Sequence, residues 1–166
     1  MSDFFTKTDL SRKDAESIIS ETLNNCDDGE LYLENSKSES IILDDDKIKS
    51  SSYSSDLGYG LRAVTGEVVA YSHSNEISKK SLKQSANNLS STLKSQKGIY
   101  NHEIPQSNEK FYKDVNPIEE KSLQSKLDLL KEVNNYTRAK GGIVQQVTAS
   151  FSGEHKSIEI IRSGGE

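Results

Sequence analysis

Residues 56–74 read DLGYGLRAVTGEVVAYSHS, and the prediction of the fold starts from this stretch. Gly58 and Gly60 lie two apart, on one face of a strand, where missing side chains indicate a close approach by another backbone or a bulge. Apolar runs flank Thr65 and Gly66, which is typical of a tight hairpin turn because glycine tolerates a positive φ. A phosphate-binding loop would instead lead from a strand into a helix, with a different glycine spacing. We therefore predict a β-hairpin within a sheet and not a nucleotide site.

Three helices are predicted around this hairpin. The first starts after Ser11 and stops at residues 27–29, and the second starts after an N-cap at Ser78 and stops at Gly98. The third starts near Ser122 and ends at residues 140–142. Helical spacing predicts that the buried stripes are Ala15, Ile18, Ile19, Leu23 and Cys26 in the first helix, Leu82, Ala86, Leu89 and Leu93 in the second, and Leu123, Leu127, Leu130 and Val133 in the third.

The remaining segments are predicted to form strands and connections. Residues 30–52 are interpreted as short strands around polar turns, the serine-rich stretch 50–56 as a connection, and 147–160 as a hairpin that turns at 152–154. Residues 98–117 are expected to form a long irregular loop of a functional or mobile kind. Hairpins outnumber βαβ units, so the fold class is α+β: a mostly antiparallel sheet of hairpins packed with about three helices, in a single domain spanning 1–166.

The glycines predict where substitutions cost stability. Gly60 is interpreted as a strand position that another element approaches closely, and Gly98 as a helix stop that faces solvent. On this basis Gly60→Val is expected to be more damaging than Gly98→Val, because added methyl groups overpack a close contact.

Composition excludes several classes of function. The net charge of −5 argues against non-specific nucleic-acid binding, which needs clustered Lys and Arg. No run approaches the length of about 20 apolar residues that a membrane helix needs, and the N-terminal residues lack the apolar core of a signal peptide. Cys26 is the only cysteine, so no internal disulfide can form, which fits a reducing compartment. A cytoplasmic protein is the expectation.

The candidate chemical groups each have a structural alternative. Arg62 lies within the glycine-containing segment and could clamp a carboxylate, but an arginine on a solvated sheet face or paired with a nearby acid is the more common case. The histidines are His73, His102 and His155. Although residues 102–103 read His-Glu, the second histidine of H-E-x-x-H is missing and Pro105 disfavours a helix, so no metal site is predicted there.

Two further candidate sites, at Cys26 and at residues 44–46, have little support. Cys26 continues an apolar stripe, so a small buried residue is favoured over a thiol nucleophile. Asp44, Asp45 and Asp46 could bind a hard cation, but adjacent acids in a turn are more often a solvated loop. The residues alone therefore give no catalytic residue, no metal ligand and no identified substrate-binding residue.

Taken in order, the long segments resemble the N-terminal part of the TldD/PmbA family, also called modulators of DNA gyrase. Glu39 and Leu43 match the E-x-x-x-L pattern of a family strand, and residues 114–139 and 144–163 also resemble family segments. The hairpin G-x-G-x-R-A-x-x-G-E, which ends in Ala-Tyr, is matched by Gly58, Gly60, Arg62, Ala63, Gly66, Glu67, Ala70 and Tyr71. The VTASFSGE segment at 147–154 resembles the TldD branch more than its PmbA (TldE) paralogue.

The resemblance implies a zinc metallopeptidase as the parent protein. In such a protein the zinc is held by an H-E-x-x-x-H motif downstream of this region, and the subunit pairs with a PmbA/TldE-type or identical subunit to degrade unstructured peptides. This sequence contains no such motif, so we expect an excised or shortened N-terminal domain that lacks the catalytic domain, is inactive alone and holds no cofactor. The expected role is to contribute to the substrate cavity or the subunit interface.

A function of another class stays open at this point. The chain could be a stand-alone protein-binding module of the gyrase-modulator type, without enzymatic activity. A reading frame that continues past Glu166 into an H-E-x-x-x-H helix would favour the peptidase domain over this module.

Overall fold

The computed structural model of the protein describes residues 4–93, 98 and 115–162. Its four strands and its helices confirm the α+β class. In chain order the elements are α1 (Arg12–Leu23), β1 (Asp28–Asp44), β2 (Lys47–Thr65), β3 (Val68–Ser74), α2 (Lys79–Leu93), α3 (Pro117–Glu120), α4 (Leu123–Arg138) and β4 (Thr148–Arg162). The three predicted helices are α1, α2 and α4, and the short α3 was not predicted. Most of the predicted 98–117 loop, from residue 99 to 114, lies outside the described residues.

The strands form one antiparallel sheet in the order β3-β2-β1-β4. Two tight hairpins connect its first three strands along the chain. Asp45 and Asp46, with φ of 46° and 66°, join β1 to β2, and Gly66, with φ of 59°, lies in the turn from β2 to β3. The second hairpin is the predicted one, and its register pairs Tyr59 with Ser74 and Thr65 with Val68.

Three predicted interruptions of the sheet were wrong. Residues 30–44 belong to the single 17-residue strand β1, and the serine-rich 50–56 lies inside the 19-residue strand β2. Residues 152–154 do not turn, because β4 runs unbroken from Thr148 to Arg162. All residues of β2 from 47 to 57 are exposed, so no apolar alternation marks this half of the strand in the sequence.

The chain divides into two compact units, and β1, β2 and β4 each contribute residues to both. Unit 1 comprises the described residues within Met1–Asn35, Asp56–Tyr112 and Ser157–Glu166. Its core is formed by alternate strand residues with the apolar stripes of α1 and α2. The fully buried members include Ile19, Leu23, Leu31, Leu33, Leu61, Leu82, Leu89 and Ile161. Most of the predicted stripes of α1 and α2 are thereby confirmed, with Ile18 partly buried at the edge.

The helices of unit 1 begin where the sequence predicts. The Ser11 side chain accepts a hydrogen bond from the backbone N–H of Asp14, and the Ser78 hydroxyl accepts one from the N–H of Ser81. Asp14 also accepts a hydrogen bond from the Lys79 ammonium at 2.7 Å, which links α1 to α2. That hydrogen bond, with a second from Ser11, lowers the pKa of Asp14 to about 2.

Gly98 lies against backbone and not in solvent, which contradicts its interpretation as an exposed helix stop. Its N–H donates to the carbonyl of Asn25 at 2.8 Å. A Cβ at this position would lie 2.6 Å from the nitrogen of Asp27 and 2.8 Å from the carbonyl carbon of Cys26. These backbone atoms belong to the segment that joins α1 to β1, so they have little room to shift.

Unit 2 comprises the described residues within Ser36–Ser55 and Lys113–Lys156. Its small core contains Ile41, Leu43, Leu130 and Ala149, with Leu127 and Phe151 packed against it. The Ser122 N-cap of α4 is confirmed, but the predicted buried face is displaced: Leu123 and Val133 are exposed, whereas the helix buries Lys126, Leu130 and Asn134. The apolar residues of α4 lie on more than one side of the helix, which concealed the face that packs against the sheet.

Lys126 is a cation inside this core. Its side chain is 5% exposed, and its ammonium donates to Glu39 Oε1 at 2.5 Å and to the carbonyl of Ile118 at 2.7 Å. The same ammonium lies 5.7 Å from the centre of the Phe151 ring. The Glu39 of the E-x-x-x-L pattern therefore has a structural partner, which fixes α4 to β1.

The contacts of Gly60 and Gly98 reverse the order of stability loss that the sequence predicts for their substitution. Gly98→Ala is expected to lower the free energy of unfolding by about 1–3 kcal/mol, because the new Cβ meets backbone. Gly60→Ala is expected to cost less, because its Cβ meets the tip of the Tyr71 ring, which is 64% exposed and can swing away. Urea unfolding measures both, with Gly142→Ala as a control whose Cβ meets nothing within 4 Å. A larger loss for Gly60→Ala than for Gly98→Ala would contradict this assignment.

The Lys126 contacts predict an asymmetric response to mutation. Lys126→Met is expected to lower the free energy of unfolding by about 3–5 kcal/mol, because it leaves the Glu39 carboxylate buried without its cation. Adding Glu39→Gln removes that charge and is expected to recover part of the loss. Lys131→Met, on the exposed side of the same helix, is the matched control and should change stability by no more than about 0.5 kcal/mol. Equal losses for the two lysine variants would show that the buried pair does not hold α4.

Candidate binding surfaces

A row of alternating charges crosses the sheet in unit 1. Arg62 of β2 donates to Asp28 Oδ2 at 2.6 Å, and its Nε lies 3.4 Å from Glu30 Oε1. The other Glu30 oxygen lies 3.4 Å from a guanidinium nitrogen of Arg162 on β4. Arg62 is therefore paired with nearby acids, as one of its two sequence interpretations predicts, and it is not a free clamp for a carboxylate ligand.

The charges in this row stabilise one another. The Asp28 carboxylate raises the pKa of Arg62, first through their hydrogen bond. Partial burial acts to raise the pKa of Asp28, but the hydrogen bond and charge of Arg62 outweigh it, so that the pKa is lowered. Both groups are thus held in their charged forms at neutral pH, which suits a structural ion pair.

The glycine-containing hairpin is explained by contacts within the sheet. Tyr71 of β3 lies over Gly60, whose Cβ would be 2.6 Å from the Tyr71 hydroxyl, and a Cβ on Gly58 would be 2.8 Å from the Ser74 carbonyl oxygen. The predicted approach of another backbone is therefore found at Gly58, whereas at Gly60 the close neighbour is the Tyr71 side chain. The Tyr71 ring also stacks on His73, with centroids 5.9 Å apart. These rings occupy the face of the hairpin that does not pack against the helices.

The turn of this hairpin holds an acid of the chain itself. The N–H of Gly66 donates to Asp27 Oδ2 at 2.6 Å, and the N–H of Asp27 donates to the carbonyl of Val64 at 2.8 Å. A carboxylate of this protein therefore occupies the position that a phosphate would need, and the turn leads into a strand.

The acidic turn at residues 44–46 is likewise engaged by protein donors. Asp44 accepts from the Gln146 amide and the Thr148 hydroxyl, each at 2.9 Å, and Asp45 accepts from Arg138 and from the N–H of Val147. The hydrogen bonds from Gln146 and Thr148, in that order, lower the pKa of Asp44. The expected turn is present, but Asp44 belongs to β1, and the carboxylates of Asp44 and Asp45 hold the start of β4 in place instead of facing only solvent.

The remaining candidate ligands are dispersed. Cys26 is buried, and its Sγ lies 3.8 Å from the carbonyl of Thr22, as expected for a small core residue. His73 lies on β3, His155 lies on β4, and His102 is outside the described residues. Among residues 4–93, 98 and 115–162, no three His, Cys, Asp or Glu side chains lie close enough together to hold a metal ion. No helix in this part of the chain has the length and apolarity that crossing a bilayer requires.

A feature that sequence reasoning missed is a groove in unit 2, between α4 and the first half of β4. We name it the α4–β4 groove; it has a volume of about 430 Å³, in the range of binding pockets. Its lining residues are Leu129, Leu130, Val133, Thr137, Gln146, Val147, Thr148, Ala149, Ser150 and Phe151. The available signal was the apolar spacing of Leu129, Val133 and Tyr136 along one side of α4, which the predicted stripe only partly included.

Comparisons with known proteins agree on one family. The profile described as PmbA/TldA metallopeptidase domain 1 matches residues 29–92, which include β1, the glycine-containing hairpin and most of α2. A protein named Metalloprotease TldD homolog from Buchnera aphidicola subsp. Acyrthosiphon pisum is 34% identical over 84% of this chain and 29% of its own length. One of the same name from Haemophilus influenzae is 31% identical over 85% of this chain and 30% of its own length. The chain thus spans about a third of the length of these curated relatives.

Solved structures show the same fold. TldE from Thermococcus kodakarensis is 13% identical and covers 92% of this chain and 35% of its own, with a TM-score of 0.62. A protein from Thermotoga maritima, named as a candidate modulator of a DNA gyrase, is 14% identical and covers 93% of this chain and 35% of its own, with a TM-score of 0.70. These likenesses concern the fold, whereas the sequence matches show that the chain belongs to the TldD/PmbA family, as an N-terminal domain.

Proposed function

We propose that this chain is a non-catalytic domain of a TldD-like metallopeptidase, where it contributes to the substrate cavity or to the subunit interface. The observation that carries this proposal is the match to curated TldD homologues over 84% of this chain but only 29% of the relative. The full-length protein would pair with a TldE-type or identical subunit, act on unstructured peptides and work in the cytoplasm. The interpretation of residues 1–166 as a single domain within it belongs to the same proposal.

The described residues do not fit the zinc ion that a metallopeptidase would use. A catalytic zinc site needs three protein ligands around one point, but Asp27, Asp44 and Asp45 already accept hydrogen bonds from the chain's own donors. Asp28 and Glu30 are likewise paired with arginines. The metal would belong to the H-E-x-x-x-H motif of a catalytic domain, which this sequence does not contain. The chain's own part would then be to bind and position.

A protein-binding module without enzymatic activity is the second candidate function. Apolar side chains left in solvent on unit 2 favour it, since Leu129, Val133 and Tyr136 are 49%, 43% and 66% exposed. Both candidates require the chain to bind another polypeptide, and they differ in whether a catalytic domain belongs to the same protein.

The isolated chain is expected to hold no stoichiometric zinc and to cleave no peptide. Metal analysis after dialysis against zinc-containing buffer is the first measurement, and hydrolysis of unfolded casein with and without added zinc is the second. Each should equal the buffer blank, because the ligand set for a catalytic zinc is missing. About one tightly held zinc per chain, or zinc-dependent cleavage, would contradict the non-catalytic role.

The gene separates the two candidate functions. The codons that follow Glu166 are expected to continue into an H-E-x-x-x-H helix if the chain is a peptidase domain. A stop codon at that position would favour the stand-alone module.

A further inference from the structure

The α4–β4 groove follows the backbone of an edge strand. Its lining includes the first four residues of β4, Thr148 to Phe151, together with Gln146 and Val147 just before the strand. Successive strand side chains point to opposite faces, so a groove that touches every residue in a row must run along the side of the strand. β4 is the last strand in the order β3-β2-β1-β4, so among the described residues it has a strand neighbour on one side only. Both backbone groups of Val147 already pair with Asp45, so the part of this open edge that the groove follows is Thr148 to Phe151.

The helical wall of the groove is apolar and exposed. Leu129 and Val133 line it and are 49% and 43% exposed, and Tyr136 continues the same side of α4 at 66%. On the opposite wall Ala149 is 9% exposed and Phe151 is partly buried. No lining residue is charged. Binding of an occupant with apolar side chains would therefore remove from water the apolar surface that the folding of unit 2 leaves exposed.

A cation lies at the C-terminal end of this wall. The Lys140 ammonium is 4.1 Å from the centre of the Tyr136 ring, one turn beyond Thr137 of the groove. Within the described part of the chain no carboxylate lies within 4 Å of it, whereas neighbouring Arg138 is paired with Asp45. The charge that complements this end of the groove is negative.

We propose that the α4–β4 groove binds an extended peptide segment of a partner protein, which adds as a strand to β4, places apolar side chains against Leu129 and Val133, and directs a carboxylate to Lys140. The four edge residues span roughly 10 Å, which matches about four residues of extended chain. This inference rests on the binding role proposed above and not on the presence of a catalytic domain.

Other occupants match the groove less well. A helix could cover Leu129 and Val133, but it would leave the edge of β4 unpaired because a helix uses its own backbone groups internally. A second copy of the chain would bring the same edge segment, Thr148 to Phe151, which has no acid to place against Lys140. A single extended segment satisfies the backbone edge, the apolar wall and the cation together.

Fluorescence polarisation with a labelled peptide tests the proposal. The probe is Ser-Thr-Val-Thr-Leu-Thr-Asp-Glu, which alternates apolar residues and ends in acids, and saturable binding is expected below about 1 mM. A peptide with proline in place of each threonine loses every second backbone N–H and has φ fixed near −65° at those positions, so it cannot add as a regular strand and is expected to bind at least about tenfold more weakly. No saturation by the first peptide, or equal binding of the proline peptide, would overturn the proposal.

Matched variants test the apolar wall. Leu129→Ser is expected to weaken binding about tenfold, because buried apolar area is lost. Leu123→Ser changes a leucine of the same helix that is 55% exposed but does not line the groove, and should alter binding less than about twofold. Both residues are exposed, so neither change removes core packing. Equal effects of the two variants would overturn the proposed location.

Charge reversal and strand protection complete the test. Lys140→Glu is expected to weaken binding of the acidic peptide about fivefold at low salt and to strengthen binding of a version that ends in two lysines. Lys131→Glu should change neither binding. Bound peptide should also slow amide hydrogen exchange along residues 148–151.

Sedimentation must show a monomer without peptide, since a dimer that buries the β4 edge would overturn the proposal. The zinc and casein measurements are independent of all these outcomes, so failure of one proposal is distinguishable from failure of the other.

Discussion

The fold of unit 1 depends on the burial of alternate residues from adjacent strands against two helices. Leu31, Leu33, Leu61 and Ala63 are fully buried, and they meet the apolar stripes of α1 and α2, including Ile19 and Leu82. A strand shifted by one residue would expose every one of these side chains, so this burial fixes the register of the sheet. With one face used in this way, the residues of the other face, such as Arg62 and Tyr71, are free for ion pairs and ring contacts.

The same alternation explains how much of the fold the sequence could reveal. Where it is present, at Leu31 and Leu33 and around the hairpin of Gly66, the strands and their turn were predicted correctly. Residues 47–57 of β2 are exposed throughout, and in the middle of β4 the less exposed positions are Gly153, His155 and Ser157, so no apolar alternation marks either segment. Serines in 50–56 and Gly153 in 152–154 then suggested breaks, although backbone pairing continues through both.

The candidate site was less accessible to sequence reasoning. The alternative for Arg62 that proved correct required only a nearby acid, but its partners Asp28 and Glu30 lie on another strand, more than thirty positions away. The buried pair of Lys126 and Glu39 gave no signal, since a lysine is rarely expected inside a helix's buried face. Four apolar residues of α4 were assigned to the core, yet only Leu130 is fully enclosed and Leu127 is partly so.

The buried ion pair of Lys126 and Glu39 explains why apolar side chains of α4 remain exposed on unit 2. Lys126 and Asn134 take two of the three buried positions on α4, so the leucines and valine that would ordinarily fill them lie elsewhere on the helix. A buried ion pair contributes little net stability compared with apolar packing, whereas it strongly specifies one arrangement of the helix on the sheet. The pair with Glu39 thus orients α4 so that Leu129 and Val133 stand beside the open edge of β4. Exposed apolar residues at such an edge carry a risk of aggregation, and a segment that pairs with β4 would remove it.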